Sequence, residues 1–124
     1  MAAPNIASLT TITGKTAYAT PANTNAAVLL ANAASSGKVY KVNQIVVSNL
    51  SATTAASASV AVNTAAAGSG TSYTIASTIS VPANASLIVV DKSTQLYLEE
   101  DKSIVITSGT ASGLSFTVSY EEMS

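Results

Sequence analysis

The chain has 124 residues, a formal net charge of −1, and no histidine, arginine or cysteine. This length fits one domain with a modest core, and the near-zero charge argues against nucleic acid as a partner. Missing imidazole and thiol groups exclude a Ser-His-Asp triad, a thiolate metal site and disulfide bonds. Met1 to Asn5 has no basic or apolar leader, and the longest apolar run, Ala26 to Ala31, is too short to span a membrane. We therefore expect no secretory signal and no membrane partner.

Residues 1–24 predict an extended N-terminal arm or the first short strands, and residues 25–124 predict a β-sandwich domain. Within the arm, Ile6 to Ile12 alternates weakly, as in a strand, and Gly14 is expected to end that strand. Lys15 to Ala19 predicts a second short strand. A turn rich in proline and asparagine then leads into the domain.

The middle of the chain predicts four more strands. Ala26 to Ala31 is an apolar run between turn signals and is too short for a stable helix. Lys38 to Asn49 is rich in β-branched and aromatic residues and is apolar on both faces, which predicts a central strand covered on both sides. Ala58 to Val62 and Tyr73 to Ile79 alternate with small or polar residues. Pro82 ends the second of these runs because proline cannot donate to a β-ladder.

The last third of the chain carries four short apolar runs, divided by polar turns at steps of about ten residues. The runs are Leu87 to Val90, Leu96 to Leu98, Ile104 to Ile106 and Leu114 to Tyr120. With eight or nine strands and no convincing helix, the sequence predicts an all-β fold. The expected architecture is a two-sheet antiparallel sandwich of jelly-roll or Greek-key type.

The core is expected to consist of large apolar residues at strand positions that face inward. These residues are Ile45, Val47, Val60, Val62, Ile75, Leu96, Leu98, Ile104, Ile106, Phe116 and Val118.

Two acidic groups are candidates for functional sites. Glu99, Glu100 and Asp101 carry oxygen ligands of the kind that calcium prefers. Consecutive residues on an extended chain point to alternate sides, so a solvated charged turn is the favoured interpretation. Glu121 and Glu122 suggest a catalytic carboxylate pair. They are adjacent and near a chain end, which favours a solvated terminus.

Two glycine-rich segments, Gly68 to Gly70 and Gly109 to Gly113, come nearest to a phosphate loop, but neither leads into a predicted helix. Asn49-Leu50-Ser51 and Asn84-Ala85-Ser86 match the glycosylation pattern, which chance explains in so serine-rich a chain.

Aromatic residues suggest a sugar-binding surface as a further possibility. Four of the five tyrosines fall at alternating positions of predicted strands, which favours packing in the core or at sheet edges. The five are Tyr18, Tyr40, Tyr73, Tyr97 and Tyr120. We expect no catalytic, cofactor-binding or metal-binding residues and no enzyme activity.

The low charge content predicts assembly. Charged residues make up 9% of the chain, and Val42 to Val90 contains none. Disorder is disfavoured because disordered chains combine low hydrophobicity with high charge. Neutral faces of small side chains cost little to desolvate, so we expect a homo-oligomer whose interfaces each bury more than about 1,000 Å². The alternative is a sandwich coated with serine and threonine that acts alone.

Several segments together resemble the small virion structural proteins of tailed bacteriophages, especially those of cyanobacterial and other marine phages. The segments are Lys38 to Asn49, Val81 to Ser86, Leu96 to Ile106 and Val118 to Ser124, within the last two thirds of the chain. The resemblance implies a β-sandwich building block of the particle, located in the virion and assembled in the host cytoplasm. The resemblance gives no catalytic residues to assign to this chain. It also implies a trimer, because decoration proteins often sit on local threefold axes.

The leading functional expectation is a capsid decoration, or cement, protein that binds the major capsid protein or another virion protein. The alternative is a component of the tail, neck or a fibre, which binds a host glycan. A free carbohydrate-binding or hydrolytic protein is a third hypothesis, and the absence of tryptophan, histidine and arginine counts against it.

Overall fold

A computed structural model describes residues 5–124, so residues 1–4 of the expected N-terminal arm lie outside the described part. The described residues form nine β-strands and one short 3-10 helix, which confirms the all-β expectation. The strands are β1 (Ile12–Ala19), β2 (Ala27–Asn32), β3 (Val39–Asn49), β4 (Ala56–Asn63), β5 (Ser72–Val81), β6 (Ser86–Val90), β7 (Leu96–Leu98), β8 (Lys102–Ser108) and β9 (Leu114–Met123).

The strands form two antiparallel sheets with the strand order of a jelly roll. One sheet, here the five-stranded sheet, has the order β1-β9-β3-β6, with β7 pairing to β3 as well. The other, the four-stranded sheet, has the order β2-β8-β4-β5. β6 pairs with the second half of β3 and β7 with the first half, so the two act as one interrupted strand. Counted this way, the eight strands follow the double Greek key of a jelly roll.

The core lies between the sheets and follows the alternation of the sequence. In β9, Leu114, Phe116 and Val118 are fully buried, while the residues between them are half-exposed. Eight of the expected core residues are fully buried: Ile45, Val47, Val60, Leu98, Ile104, Ile106, Phe116 and Val118. Burying each such side chain contributes about 1.5–3 kcal/mol, so these residues hold the two sheets together.

Three expected core residues are less buried than predicted, and two of them, Val62 and Leu96, still pack against the core. Val62 and Leu96 are half-buried, because they lie near the ends of their strands at the rim of the sandwich. Ile75 is 39% exposed. Its strand, β5, slips by one residue between the pairs Val60–Ala76 and Ala61–Thr74. Ile75 is the extra residue, so the pairing does not hold its side chain on the core face.

The N-terminal segment also differs from the prediction. Ile6–Ser8 forms a 3-10 helix instead of a strand, and the side chain of Asn5 accepts a hydrogen bond from the Ala7 amide at 3.0 Å. Gly14 does not interrupt the chain, because β1 pairs with β9 without a break from Ile12 to Ala19.

The central strand was predicted correctly in position but not in coverage. β3 lies between β9 and the interrupted strand β6–β7, as expected. Only its inner face is fully buried, since Val46 on the outer face is half-exposed between buried Ile45 and Val47.

Candidate functional site: an open groove on the four-stranded sheet

The outer face of the four-stranded sheet carries a shallow groove. Its floor comes from residues of β4 and β8 that alternate with the core. Ser59 pairs with Thr107 and Ala61 pairs with Val105, whereas Val60 and its partner Ile106 point inward. Period-2 alternation therefore leaves small, uncharged side chains on the outer face of this sheet.

The loop between β4 and β5 approaches the groove from one end. Gly68 has φ +77°, and an added Cβ there would lie 3.0 Å from Cγ2 of Val28 and 3.5 Å from Cγ2 of Val105. Glycine is thus required by both the backbone angle and the close approach of the loop to the sheet. The groove has a volume of about 200 Å³ and is lined by Ala26, Ser59, Val60, Ala61, Ser72, Thr74, Ser77, Val105 and Thr107.

The lining is neutral. Its polar atoms are serine and threonine hydroxyls, which both donate and accept hydrogen bonds, set between alanine and valine methyl groups. The Ser59 hydroxyl oxygen accepts a hydrogen bond from the Thr78 amide at 2.8 Å, at the point where Thr78 takes a positive φ of 46°. A groove of this composition can hold an uncharged polar surface, but it offers no group that would act as a general acid or base at neutral pH.

The acidic turn at residues 99–101 serves the neighbouring loops. Glu100 Oε2 accepts a hydrogen bond from the Gly37 amide at 3.1 Å, and Asp101 Oδ1 accepts one from the Ala66 amide at 3.3 Å. The carboxylates of Glu100 and Asp101 thus contact different loops. Among the described residues, no group of three or more acidic, histidine or cysteine side chains is placed to hold a metal ion.

Glu121 and Glu122 make separate contacts. Glu121 Oε1 accepts a hydrogen bond from the side-chain nitrogen, Nδ2, of Asn43 at 3.2 Å. The Glu122 carboxylate lies 3.1 Å from Lys15 Nζ and 3.4 Å from Lys38 Nζ. Adjacent strand residues point to opposite faces, so these carboxylates do not work as a pair.

The ion pairs of Glu122 shift its acidity and that of a neighbouring tyrosine. Partial burial alone would raise the pKa of Glu122, but the hydrogen bond from Lys15 and the charge of Lys38 outweigh it and lower the pKa. Burial, the Glu122 carboxylate and Tyr120 raise the pKa of Tyr40. The cluster joins Glu122 of β9 to Lys15 of β1 and to Lys38, the residue before β3, at the rim of the sandwich.

The tyrosines divide into two groups. Tyr40 and Tyr120 pack together with ring centroids 5.1 Å apart, which agrees with the packing interpretation. Tyr18, Tyr73 and Tyr97 are exposed, and they lie on β1, β5 and β7. These strands form three different sheet edges, so the exposed rings do not make one aromatic platform.

The remaining candidates have structural positions. Gly68 to Gly70 lies in the β4–β5 loop and Gly109 to Gly113 in the β8–β9 loop, and each loop leads into a strand. Asn49 is buried, whereas Asn84 is exposed with a positive φ of 58°.

Three buried asparagines were not foreseen as a set. Asn32, Asn49 and Asn63 are the last residues of β2, β3 and β4. The Asn32 amide donates to the carbonyls of Lys38 and Leu98 at 2.9 and 3.0 Å. Each asparagine thus ties a strand end to the loop that follows it, and each has the same sequence signal: an amide as the last residue of a strand rich in apolar residues.

The side chain of the third asparagine, Asn63, makes four hydrogen bonds. Asn63 Oδ1 accepts hydrogen bonds from the amides of Ala65 and Gly70, at 3.0 and 2.9 Å. Its Nδ2 donates to the Gly70 carbonyl and the Ser72 hydroxyl. Full satisfaction is what a buried amide needs if it is to stabilise the fold.

Comparison with protein-family models gave no match, and comparison with curated proteins gave none either. In the part of the chain that the structure describes, no helix has the length and apolar character needed to cross a membrane.

Proposed function

We propose that this chain is a non-enzymatic structural protein of a tailed-phage virion, and that it decorates and stabilises the capsid surface. The observation that carries the proposal is the uncharged groove on the four-stranded sheet, which presents hydroxyl and methyl groups on the outer face of a jelly roll. Jelly rolls recur in viral capsid proteins. The resemblance of the strand segments to small phage virion proteins supports the same assignment.

The groove suits contact with another protein because removing water from it costs little free energy. Serine, threonine and alanine lose little rotamer entropy when they are buried. The sheet beneath them is fixed by the core, so the surface is preorganised and little ordering is needed on binding. We propose the major capsid protein as the partner, with the groove face against the shell.

A second candidate is a tail, neck or fibre protein that binds a host glycan. The hydroxyls along the groove favour it, because they can exchange hydrogen bonds with sugar hydroxyls, and jelly rolls also occur in lectins. Under this proposal the groove binds a sugar and the chain is absent from the capsid shell.

Capsids purified without tails test the first proposal. The chain should remain with such capsids, and added chain should sediment with capsids assembled without it. Ala61→Glu places a charge on the groove floor and should weaken binding about tenfold or more, since an unpaired charge is costly to desolvate. Ser115→Glu, on the outer face of the five-stranded sheet, is the matched control and should bind like the wild type.

Two outcomes would overturn the decoration proposal. One is that the chain copurifies with tails and is absent from tailless capsids. The other is that Ala61→Glu, Ser115→Glu and the wild type all fail to bind the shell while all three are folded; equal binding of both variants would instead overturn the groove as the contact face. Binding of the isolated chain to a glycan array, lost in Ala61→Glu, would support the second candidate instead.

A further inference from the structure

The edge strand β1 differs from the other sheet edges. β2 has a register shift between Val28 and Leu30, and β5 has two. The edge formed by β6 and β7 is split by the loop at residues 91–95. Among the described strands, β1 is the edge that pairs with its neighbour over eight residues with no irregularity. Bulges and breaks protect sheet edges from pairing with other chains, and β1 lacks this protection.

The free hydrogen-bonding groups of β1 belong to its even-numbered residues. Thr11 and Ser124 exchange two backbone hydrogen bonds, of 2.9 and 3.0 Å, in the same register as the β1–β9 ladder. Bonded pairs alternate along an antiparallel ladder, so the odd-numbered residues of β1 bond to β9. The N–H and C=O groups of Ile12, Gly14, Thr16 and Tyr18 therefore point toward the open edge.

The outer face of β1 carries an exposed tyrosine, Tyr18, and a glycine, Gly14, with no side chain above it. Tyr18 is 75% exposed, and its β9 partner is Thr117, on the outer face of the sheet. Gly14 lies four residues away on the same face, and a Cβ built there meets nothing within 4 Å. A strand that ran antiparallel along this edge could set an aromatic ring over that glycine, a contact that stabilises glycines in sheets.

We propose that β1 pairs with β1 of a second copy of this chain, antiparallel, about a twofold axis at Thr16. Thr16 then faces the partner's Thr16, and Gly14 faces the partner's Tyr18. The outward-pointing groups of these residues form about six intermolecular hydrogen bonds. Each tyrosine covers the open space above the other copy's glycine, and the two five-stranded sheets join into one continuous sheet.

Charge disfavours the register that is shifted by one residue to Lys15. Lys15 is the one charged residue in β1, and its ammonium already lies 3.1 Å from the Glu122 carboxylate. With the axis at Thr16, Lys15 faces the partner's Ala17. Moving the axis to Lys15 would place the two lysines directly opposite each other, which is destabilising.

The twofold contact closes after two copies, so it predicts a dimer of the free chain in place of the trimer that the family resemblance implies. A contact of two edge strands is at the small end of stable interfaces, so the dimer should be measured at about 0.1–1 mM chain. The pairing concerns the free chain and does not depend on capsid binding.

Single-cysteine variants test the pairing because the chain has no cysteine of its own. Facing residues in a bonded antiparallel pair have Cα atoms about 5.5 Å apart, within disulfide range. Thr16→Cys should therefore form disulfide-linked dimers in oxidised glutathione at least about tenfold faster than Thr74→Cys, a matched change on the irregular edge β5. Gly14→Cys alone should link as slowly as Thr74→Cys, because the partner's Tyr18 faces Gly14.

Sedimentation velocity with charged variants gives a second test that needs no cross-link. Thr16→Lys and Thr16→Glu should each be monomeric, because like charges meet at the axis, and an equimolar mixture should regain the dimer. Equal cross-linking of Thr16→Cys and Thr74→Cys would overturn the proposal. So would a wild-type chain that sediments as a monomer or a trimer at about 1 mM, or a mixture that stays monomeric.

Discussion

Asn49 gives a quantitative test of how the strand ends are held. Its side chain makes three hydrogen bonds of 2.9 Å each. Nδ2 donates to the carbonyls of Thr54 and Val81, and Oδ1 accepts from the Ser51 amide. Asn49→Ala removes all three and leaves the Val81 carbonyl buried without this partner. The β3–β4 loop and the end of β5 then lose these side-chain hydrogen bonds to the end of β3.

The expected loss follows from the bond count. A protein hydrogen bond contributes about 1 kcal/mol net, so three contribute about 3 kcal/mol. That is a large part of the roughly 5–15 kcal/mol by which a small domain is stable. At about 4 °C per kcal/mol for a chain of this length, the melting temperature should fall by about 12 °C.

Urea unfolding followed by circular dichroism measures this loss. With a slope of about 2 kcal/mol per molar, the midpoint of Asn49→Ala should fall by about 1.5 M. Asn23→Ala is the control, since Asn23 makes one exposed hydrogen bond, from the Asn25 amide at 3.0 Å. The control should lose less than about 1 kcal/mol. If Asn49→Ala loses no more than the control, the buried asparagines do not hold the loops as described.

An isosteric change adds a pH test of the same site. Asn49→Asp keeps the shape of the side chain and the oxygen that accepts from the Ser51 amide. It replaces the Nδ2 group, which donates to two carbonyl oxygens, with a second oxygen that can only accept. Burial raises the pKa of the introduced carboxyl above its unfolded value of about 3.9. The ionised form is the destabilised one in the folded state, so this variant should gain stability as pH falls through that raised pKa. A variant whose stability relative to the wild type does not change between about pH 7 and pH 4 would contradict the burial of this group.

Two further variants test the core and the rim. Phe116→Ala should lose about 3–5 kcal/mol of unfolding free energy because Phe116 is fully buried between the sheets. A loss below about 1 kcal/mol in urea unfolding would contradict this burial. Thr117→Ala, at a half-exposed position, is the control. Glu122→Gln should lose under about 1 kcal/mol at pH 7, because its lysine partners are 44% and 39% exposed and screened by solvent. Since the folded pKa of Glu122 is lowered, this contribution is present above about pH 4.5 and disappears as pH falls below it. A difference between wild type and Glu122→Gln that does not shrink as pH falls below about 4.5 would refute the ion-pair assignment.

The fold could be predicted where the alternation of apolar and polar residues follows only from burial against the opposite sheet. In β9, each second residue is buried by the opposite sheet, so the period of the sequence reports the structure directly. Local alternation does not determine the position of a residue where the pairing with a neighbouring strand does. Gly14 stays in β1 because β9 supplies a continuous ladder, and Ile75 leaves the core because β5 slips against β4. Neither partner can be identified from the local sequence.

The candidate site was only partly visible in the sequence. The outward alternation of Ser59 and Ala61 predicts small side chains on one face of β4. The approach of Gly68 to Val28 and Val105 does not follow from it, since it depends on how the loop folds back onto the sheet. The buried asparagines were missed because an amide after a strand also fits an ordinary exposed turn.

Electron cryomicroscopy of purified phage particles, labelled with an antibody fragment against this chain, tests the proposed function most directly. The preparation should come from cells in which the gene is expressed. The decoration proposal predicts label distributed over the capsid shell, with none on the tail. Label confined to the tail, neck or fibres, or particles that carry no label while the free chain binds the fragment, would contradict it.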